Sequence, residues 1–317
     1  MKQNSTLLGS LERSWVSFVD SQRFRRFARQ GVGARLLRGR AYQGALRAKR
    51  YATSYYQART NSAIFADVTS FCFFIGHTKS GGTMIGALLD AHPNVILADE
   101  IDTLDLVNSG YRREQIFHIL LKGSRREAMK GRVTARRLKA YSFEVHGQSQ
   151  GRYDQLQVIG ASKAGPTTRR LGADPALLGR TDRVMVGLNL KVIQVIRNPF
   201  DPMSAMRVRG KRTIDNAVDH YFDYCATLAD LRQRLGDEQL LPVRYESFVA
   251  EPRRELAGIC RFLGVEPGDD YLDACAAVIW PEPERSRDVV EWPAEWIDRV
   301  EEQIAQYDFL RGYRFDD

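Results

Sequence analysis

The hydrophobic pattern along the chain is dominated by short apolar runs that alternate with longer amphipathic stretches. Phe71 to Ile75 is a compact apolar run flanked by polar residues and closed by Gly76, which predicts a buried parallel strand. A Gly- and Ser-containing turn, His77 to Gly82, follows. From Thr83 the spacing becomes helical, with Met84, Leu88 and Ala91 on one face and Ile85 and Leu89 beside them. His92-Pro93-Asn94 ends that helix near Ala91. Val95–Leu97, Leu156–Ile159, Leu190–Ile196 and Leu240–Val243 are further strand candidates. Between them, residues 103–150 read as helical through Ile116, Ile119 and Leu120, and residues 213–236 form an amphipathic helix. Phe262-Leu263-Gly264 is an apolar helix end stopped by glycine, and a last helix runs to Tyr307. Strand–helix alternation of this kind predicts an α/β fold, a parallel sheet sandwiched by helices.

Charge divides the chain. Residues 1–60 carry 13 Lys+Arg against 2 Asp+Glu, while the other 257 residues carry 34 against 37, within an overall net charge of +8. Residues 1–65 therefore read as a basic N-terminal extension, and residues 66–317 as the main domain. Arg23 to Arg50 holds ten basic residues and no acid, interleaved with Phe24, Phe27, Leu36, Leu37, Tyr42 and Leu46. Three readings stay open: a segment lying on an anionic membrane, a nucleic-acid patch, and a solvated helical arm. The main domain is slightly acidic, so no nucleic-acid partner is expected for it. A composition of 44% apolar and 10% aromatic residues suits a chain that buries a core. Cys72, Cys225, Cys260 and Cys275 have no metal or disulfide spacing, the five histidines are scattered, and no apolar run approaches membrane-span length. Those features predict a cytoplasmic protein without a metal, at most peripheral at the inner membrane surface.

Strand, glycine turn and helix N-terminus together make an anion site. Gly76, Gly81 and Thr83 fit a Walker A loop, but Gly82 stands where its lysine belongs, and the lysine has moved to Lys79. A loop so altered is poorly suited to bridging the β- and γ-phosphates of a triphosphate. The K-S-G-G-T pattern, followed by L-L-D-A-H-P, resembles the 5′-phosphosulfate loop of sulfotransferases that use 3′-phosphoadenosine-5′-phosphosulfate (PAPS). Arg197-Asn198-Pro199-Phe200-Asp201, at the end of the 190–196 strand, resembles their 3′-phosphate segment. An arginine fork and a serine hydroxyl are apt phosphate donors, though Ser204 lies seven residues after Arg197 where the family's serine is often eight after. The alternative for Arg197 is a salt bridge to Asp201.

The resemblance, over residues 70–317, implies a three-layer fold like that of P-loop NTPases. It implies that Lys79, Ser80, Gly81, Gly82, Thr83 and Met84 hold the 5′ end of PAPS. Arg197 and Ser204 hold the 3′-phosphate, and adenosine 3′,5′-bisphosphate is the product. Glu100 follows A-H-P-N-V in the register where tyrosylprotein sulfotransferases carry their general base; Asp99 and Asp102 are the fallbacks. Lys163, in G-A-S-K-A-G-P-T, resembles the lysine of their N-K-x-P-x-T segment, which stabilises the transferring group. Tyr245, in a stretch common among sulfotransferases, is either a nucleotide contact or a packed core tyrosine. Arg285, Ser286 and Arg287 resemble the cofactor-covering segment near the family's C-terminus. The activity implied is sulfuryl transfer to a hydroxyl of a glycan, lipid or small molecule. A degenerate P-loop kinase or NTPase, and a membrane-associated nucleotide binder without turnover, are the rival readings.

Overall fold

A computed structural model describes residues 40–134, 141–210, 213–280, 282 and 284–317. The chain divides between Tyr56 and Gln57 into two units. The helix α1 (Arg40–Thr60), which runs across that division, carries Arg40, Arg47, Lys49, Arg50 and Arg59 and no acidic residue. Most of the basic segment singled out above, residues 1–39, lies outside the described residues. No described helix is long and apolar enough to cross a membrane.

The second unit is built on β1 (Ser70–Gly76), α2 (Gly82–Leu89), β2 (Val95–Ala98), α3 (Thr103–Asn108) and α4 (Arg113–Met129). A two-residue hairpin follows, β3 (Val133–Thr134) and β4 (Tyr141–Ser142). Then come β5 (Val158–Ala161), α5 (Ala164–Ala173), α6 (Ala176–Val184), β6 (Asn189–Ile196), α7 (Phe200–Gly210) and α8 (Ile214–Arg234). The chain ends on β7 (Leu240–Arg244), α9 (Tyr245–Ala250), α10 (Pro252–Leu263), α11 (Asp269–Ala276) and α12 (Ala294–Ile304). Five strands form one parallel sheet in the order β2-β5-β1-β6-β7. This is the three-layer α/β fold expected.

Every residue of β1 is buried, because helices cover both faces of the sheet. Strand alternation sends Phe71, Phe73 and Ile75 into a core shared with Phe117 and Leu120 of α4. Cys72 and Phe74 go to the opposite core, against Ile85 and Leu88 of α2 and Ile259 of α10. Each such large apolar side chain contributes roughly 1.5–3 kcal/mol of burial. Gly160 lets β5 close on β1: a Cβ there would stand 1.8 Å from the Cys72 carbonyl oxygen.

The helical expectation for 103–150 needs correction. Helix ends at Met129, and Gly131 and Arg132 both turn through positive φ into the β3–β4 hairpin. Buried Arg132 pairs there with Asp90, which also accepts from Leu97 N–H at 2.7 Å and Gly151 N–H at 2.9 Å. Gly264, at φ 84°, ends α10 in the left-handed conformation expected of a glycine stop.

Candidate active site

In this strand order the connection from β1 runs to one side of the sheet and that from β5 crosses to the other. Crevices of open α/β sheets form at such a reversal, beyond the strands' carboxyl ends. A cleft of about 270 Å³ lies there. The tips of all five strands reach it, through Lys79 after β1, Glu100 after β2, Lys163 after β5, Arg197 after β6 and Tyr245 after β7.

The β1–α2 turn is bent by three positive φ angles, 134° at Gly76, 72° at Lys79 and 99° at Gly81. Gly81 is the N-cap of α2, and no side chain caps the helix. The N–H groups of Gly82 and Thr83 are thus available to an anion, while that of Met84 donates to the Gly81 carbonyl at 3.0 Å. A Cβ at Gly81 would sit 2.2 Å from the Tyr245 ring, so only glycine fits both the conformation and the space. The hydroxyl of Ser80 is buried without a hydrogen-bond partner in the structure. An orphaned donor, a cradle that a methyl group would fill, and two cations suit a phosphorylated nucleotide.

Arg197 joins the second motif to the first. Its Nη1 donates to the Lys79 carbonyl at 3.2 Å, and its guanidinium lies 4.6 Å over the Tyr245 ring. Its Nη2 donates to the Glu284 carbonyl. Nε lies 3.5 Å from Asp201, an ion pair rather than a formed hydrogen bond, so the salt bridge foreseen as an alternative coexists with a position on the cleft. Burial raises the Asp201 carboxyl above its ordinary pKa, against the charges of Arg197 and Arg287.

On the other side, Lys163 Nζ lies 3.2 Å from Glu100 Oε2 and donates to the Glu100 carbonyl at the same distance. Lys163 is the N-cap of α5. Glu100 is exposed, with 64% of its side chain accessible. Its neighbour Asp99 is held inward by Ser162 Oγ at 3.2 Å and by a hydrogen bond from Thr83. Burial, then the charge of Glu100, raises the Asp99 carboxyl. Asp102 stands apart: it caps α3 by accepting from Asp105 N–H and pairs with Arg170 at 2.8 Å.

Lys79, Gly81, Gly82, Thr83, Met84, Asp99, Glu100, Lys163, Arg197 and Tyr245 thus come together on one cleft. Five residues expected from the resemblance do not line it, Ser80 with its buried hydroxyl among them. Ser204 is fully buried and accepts from Trp292 Nε1 at 2.9 Å. Arg287 is buried against Asp201, Ser286 is buried beside it, and exposed Arg285 pairs with Asp288. Conversely, His77, Phe143, Ser162, Trp280 and Glu282 line the cleft without having been singled out. Ser162 was within reach, because it directly follows a strand. Phe143 and Trp280 belong to no motif. His77 is buried, donates from Nε2 to the Tyr221 carbonyl at 2.9 Å and stacks on that ring at 3.6 Å; burial lowers its pKa to about 3. Among the described residues no cluster could hold a metal ion.

Residues 72–270 match the model of a sulfotransferase family. No curated protein matches the chain. Among solved structures, it is similar to the sulfotransferase domain of the Synechococcus PCC 7002 olefin synthase, at 20% identity and a TM-score of 0.46, over 76% of this chain and 96% of that one. A sulfotransferase from Alicyclobacillus acidocaldarius aligns at 16% identity and 0.44, over 76% and 95%. A mouse sulfotransferase complexed with PAP aligns at 11% and 0.41, over 78% and 84%.

Proposed function

Because the chain belongs to the sulfotransferase family, we propose that it moves the sulfuryl group of PAPS to a hydroxyl of a carbohydrate, lipid or small-molecule acceptor. The observation that carries this reading is the 3.2 Å hydrogen bond from Arg197 to the Lys79 carbonyl. It brings the two phosphate motifs, 118 residues apart in sequence, to one cleft, as a nucleotide with phosphates at both ends requires.

Lys79 and the N–H groups of Gly82 and Thr83 hold the 5′ end. Arg197 holds the 3′-phosphate with its planar fork. When bound, PAPS supplies a sulfuryl group on a phosphate leaving group. Glu100 would take the proton from the acceptor hydroxyl and so free its oxygen to accept the sulfuryl group. Asp99 is less suited, since its oxygens already serve Ser162 and Thr83. Lys163, 3.2 Å from the Glu100 carboxylate, would with Lys79 offset negative charge growing on the leaving phosphate. No step needs a metal.

Calorimetry with adenosine 3′,5′-bisphosphate against ATP plus Mg²⁺ tests the nucleotide assignment; preference for ATP would favour the kinase or NTPase reading. Transfer of labelled sulfate from PAPS to a cell extract, lost in Glu100→Ala while nucleotide binding persists, separates an enzyme from a passive binder. The labelled product identifies the acceptor class.

A further inference from the structure

Behind the two strand-tip residues that face the cleft lies a second pair that does not. Arg197 and Tyr245 stack on each other, and their immediate successors, Asn198 and Glu246, are hydrogen-bonded: Asn198 N–H donates to Glu246 Oε1 at 2.8 Å. The second Glu246 oxygen accepts from the Tyr313 hydroxyl at 2.7 Å. Tyr313 is buried, with the Arg244 guanidinium 4.7 Å over its ring, and Arg244 also donates to the Arg311 carbonyl at 2.9 Å. Asn198 is buried and uses both ends of its amide. Nδ2 donates to the Arg314 carbonyl at 2.8 Å, and Oδ1 accepts from Phe200 N–H at 3.2 Å as α7 begins.

None of Asn198, Glu246 and Tyr313 lines the cleft. Their bonds tie the β6–α7 turn to the start of α9 and to the 311–314 segment. Arg197 is a long side chain, and its own contacts leave its reach dependent on where this turn holds its backbone. Glu246 joins the two strand tips: it follows Tyr245 in sequence, and it binds the residue that follows Arg197.

We propose that Glu246 is a positioning residue, which through Asn198 N–H and the Tyr313 hydroxyl fixes the backbone from which Arg197 reaches the 3′-phosphate, and so sets the preference for 3′-phosphorylated nucleotides. This rests on Arg197 being the 3′-phosphate ligand. Glu246→Gln keeps the volume but replaces one acceptor oxygen with a donor, so the two bonds can no longer both form as they stand. Tyr313→Phe removes one of them and keeps the ring.

The test compares adenosine 3′,5′-bisphosphate with 5′-AMP by calorimetry in wild type, Glu246→Gln and Tyr313→Phe, alongside PAPS kinetics. In Glu246→Gln the bisphosphate binds about tenfold more weakly, the scale of a lost charge-assisted hydrogen bond. Affinity for 5′-AMP stays within about twofold, since the Arg197 contact is absent there. KM for PAPS rises while kcat holds. If the substitution leaves the preference at its wild-type value, or weakens both nucleotides alike, the proposal is overturned. If Glu246→Gln does not fold, Tyr313→Phe decides by the same ratio. A wild-type protein without preference for the bisphosphate removes the Arg197 assignment itself, and the positioning role with it; that failure is visible before any substitution is made.

Discussion

Adjacent carboxylates at the tip of β2 serve different ends. Asp99 is consumed by hydrogen bonds from Ser162 and Thr83, whereas exposed Glu100 pairs with Lys163. Glu100→Gln should therefore lower kcat by roughly 10²–10⁴-fold, the usual worth of a general base, and leave the affinity for adenosine 3′,5′-bisphosphate unchanged. Asp99→Asn should instead cost about 1–2 kcal/mol of folding stability in a urea titration and retain measurable transfer. Loss of transfer in Asp99→Asn with retention in Glu100→Gln would reverse the assignment. Arg197→Lys should weaken the bisphosphate about 10–100-fold, because a lysine has no planar fork to present to a phosphate. Local sequence located Arg197, whose fork and turn proline are contiguous. It did not reveal the environment of Ser204, since the indole that binds its hydroxyl is Trp292, 88 residues further on.

Elements carry the next level of precision, and the β1–α2 turn is the strictest of them. Gly81 must adopt φ 99° and admit the Tyr245 ring at the same time. Gly81→Ala meets both obstacles, and left-handed strain alone costs on the order of 1–2 kcal/mol. Its melting temperature should fall by several degrees, and nucleotide affinity should fall with it, since Tyr245 has to move. Tyr245→Ala in the same chain should recover part of the lost stability by relieving the contact, but not the part due to φ. Period and punctuation made this strand–turn–helix unit legible: five consecutive apolar residues, three glycines, then helical spacing. The same signals misjudged residues 130–150, where strands of two residues are too short to show a period. Gly165 and Pro166, which follow Lys163, lie in the first turn of α5, where proline is tolerated.

At the scale of the whole domain, the acid limit of stability should be governed in part by a histidine at the floor of the cleft. His77 is buried, and protonation would put an uncompensated charge beside Tyr221 and Tyr224. Its folded pKa, about 3, lies below the ordinary histidine value of 6.5. Between those two values the unfolded chain binds a proton that the folded chain refuses, so stability rises with pH across this window and is lost as pH falls through it. One such group gives a slope approaching 1.4 kcal/mol per pH unit below about pH 6. Buried Asp99 and Asp201, whose pKa values are raised, act in the opposite sense near the ordinary carboxylate range: the folded chain holds their protons more firmly there. The wild-type curve therefore mixes the two, and only a difference isolates the histidine. Urea unfolding at pH 7.0 and 5.0 should show a loss about 1–2 kcal/mol larger in wild type than in His77→Gln, which retains a donor for the Tyr221 carbonyl and carries no titratable ring. Equal losses in the two proteins would mean that His77 accepts its proton in the folded state. The cleft would then gain a cation on acidification, and nucleotide binding would strengthen rather than merely persist until the domain unfolds.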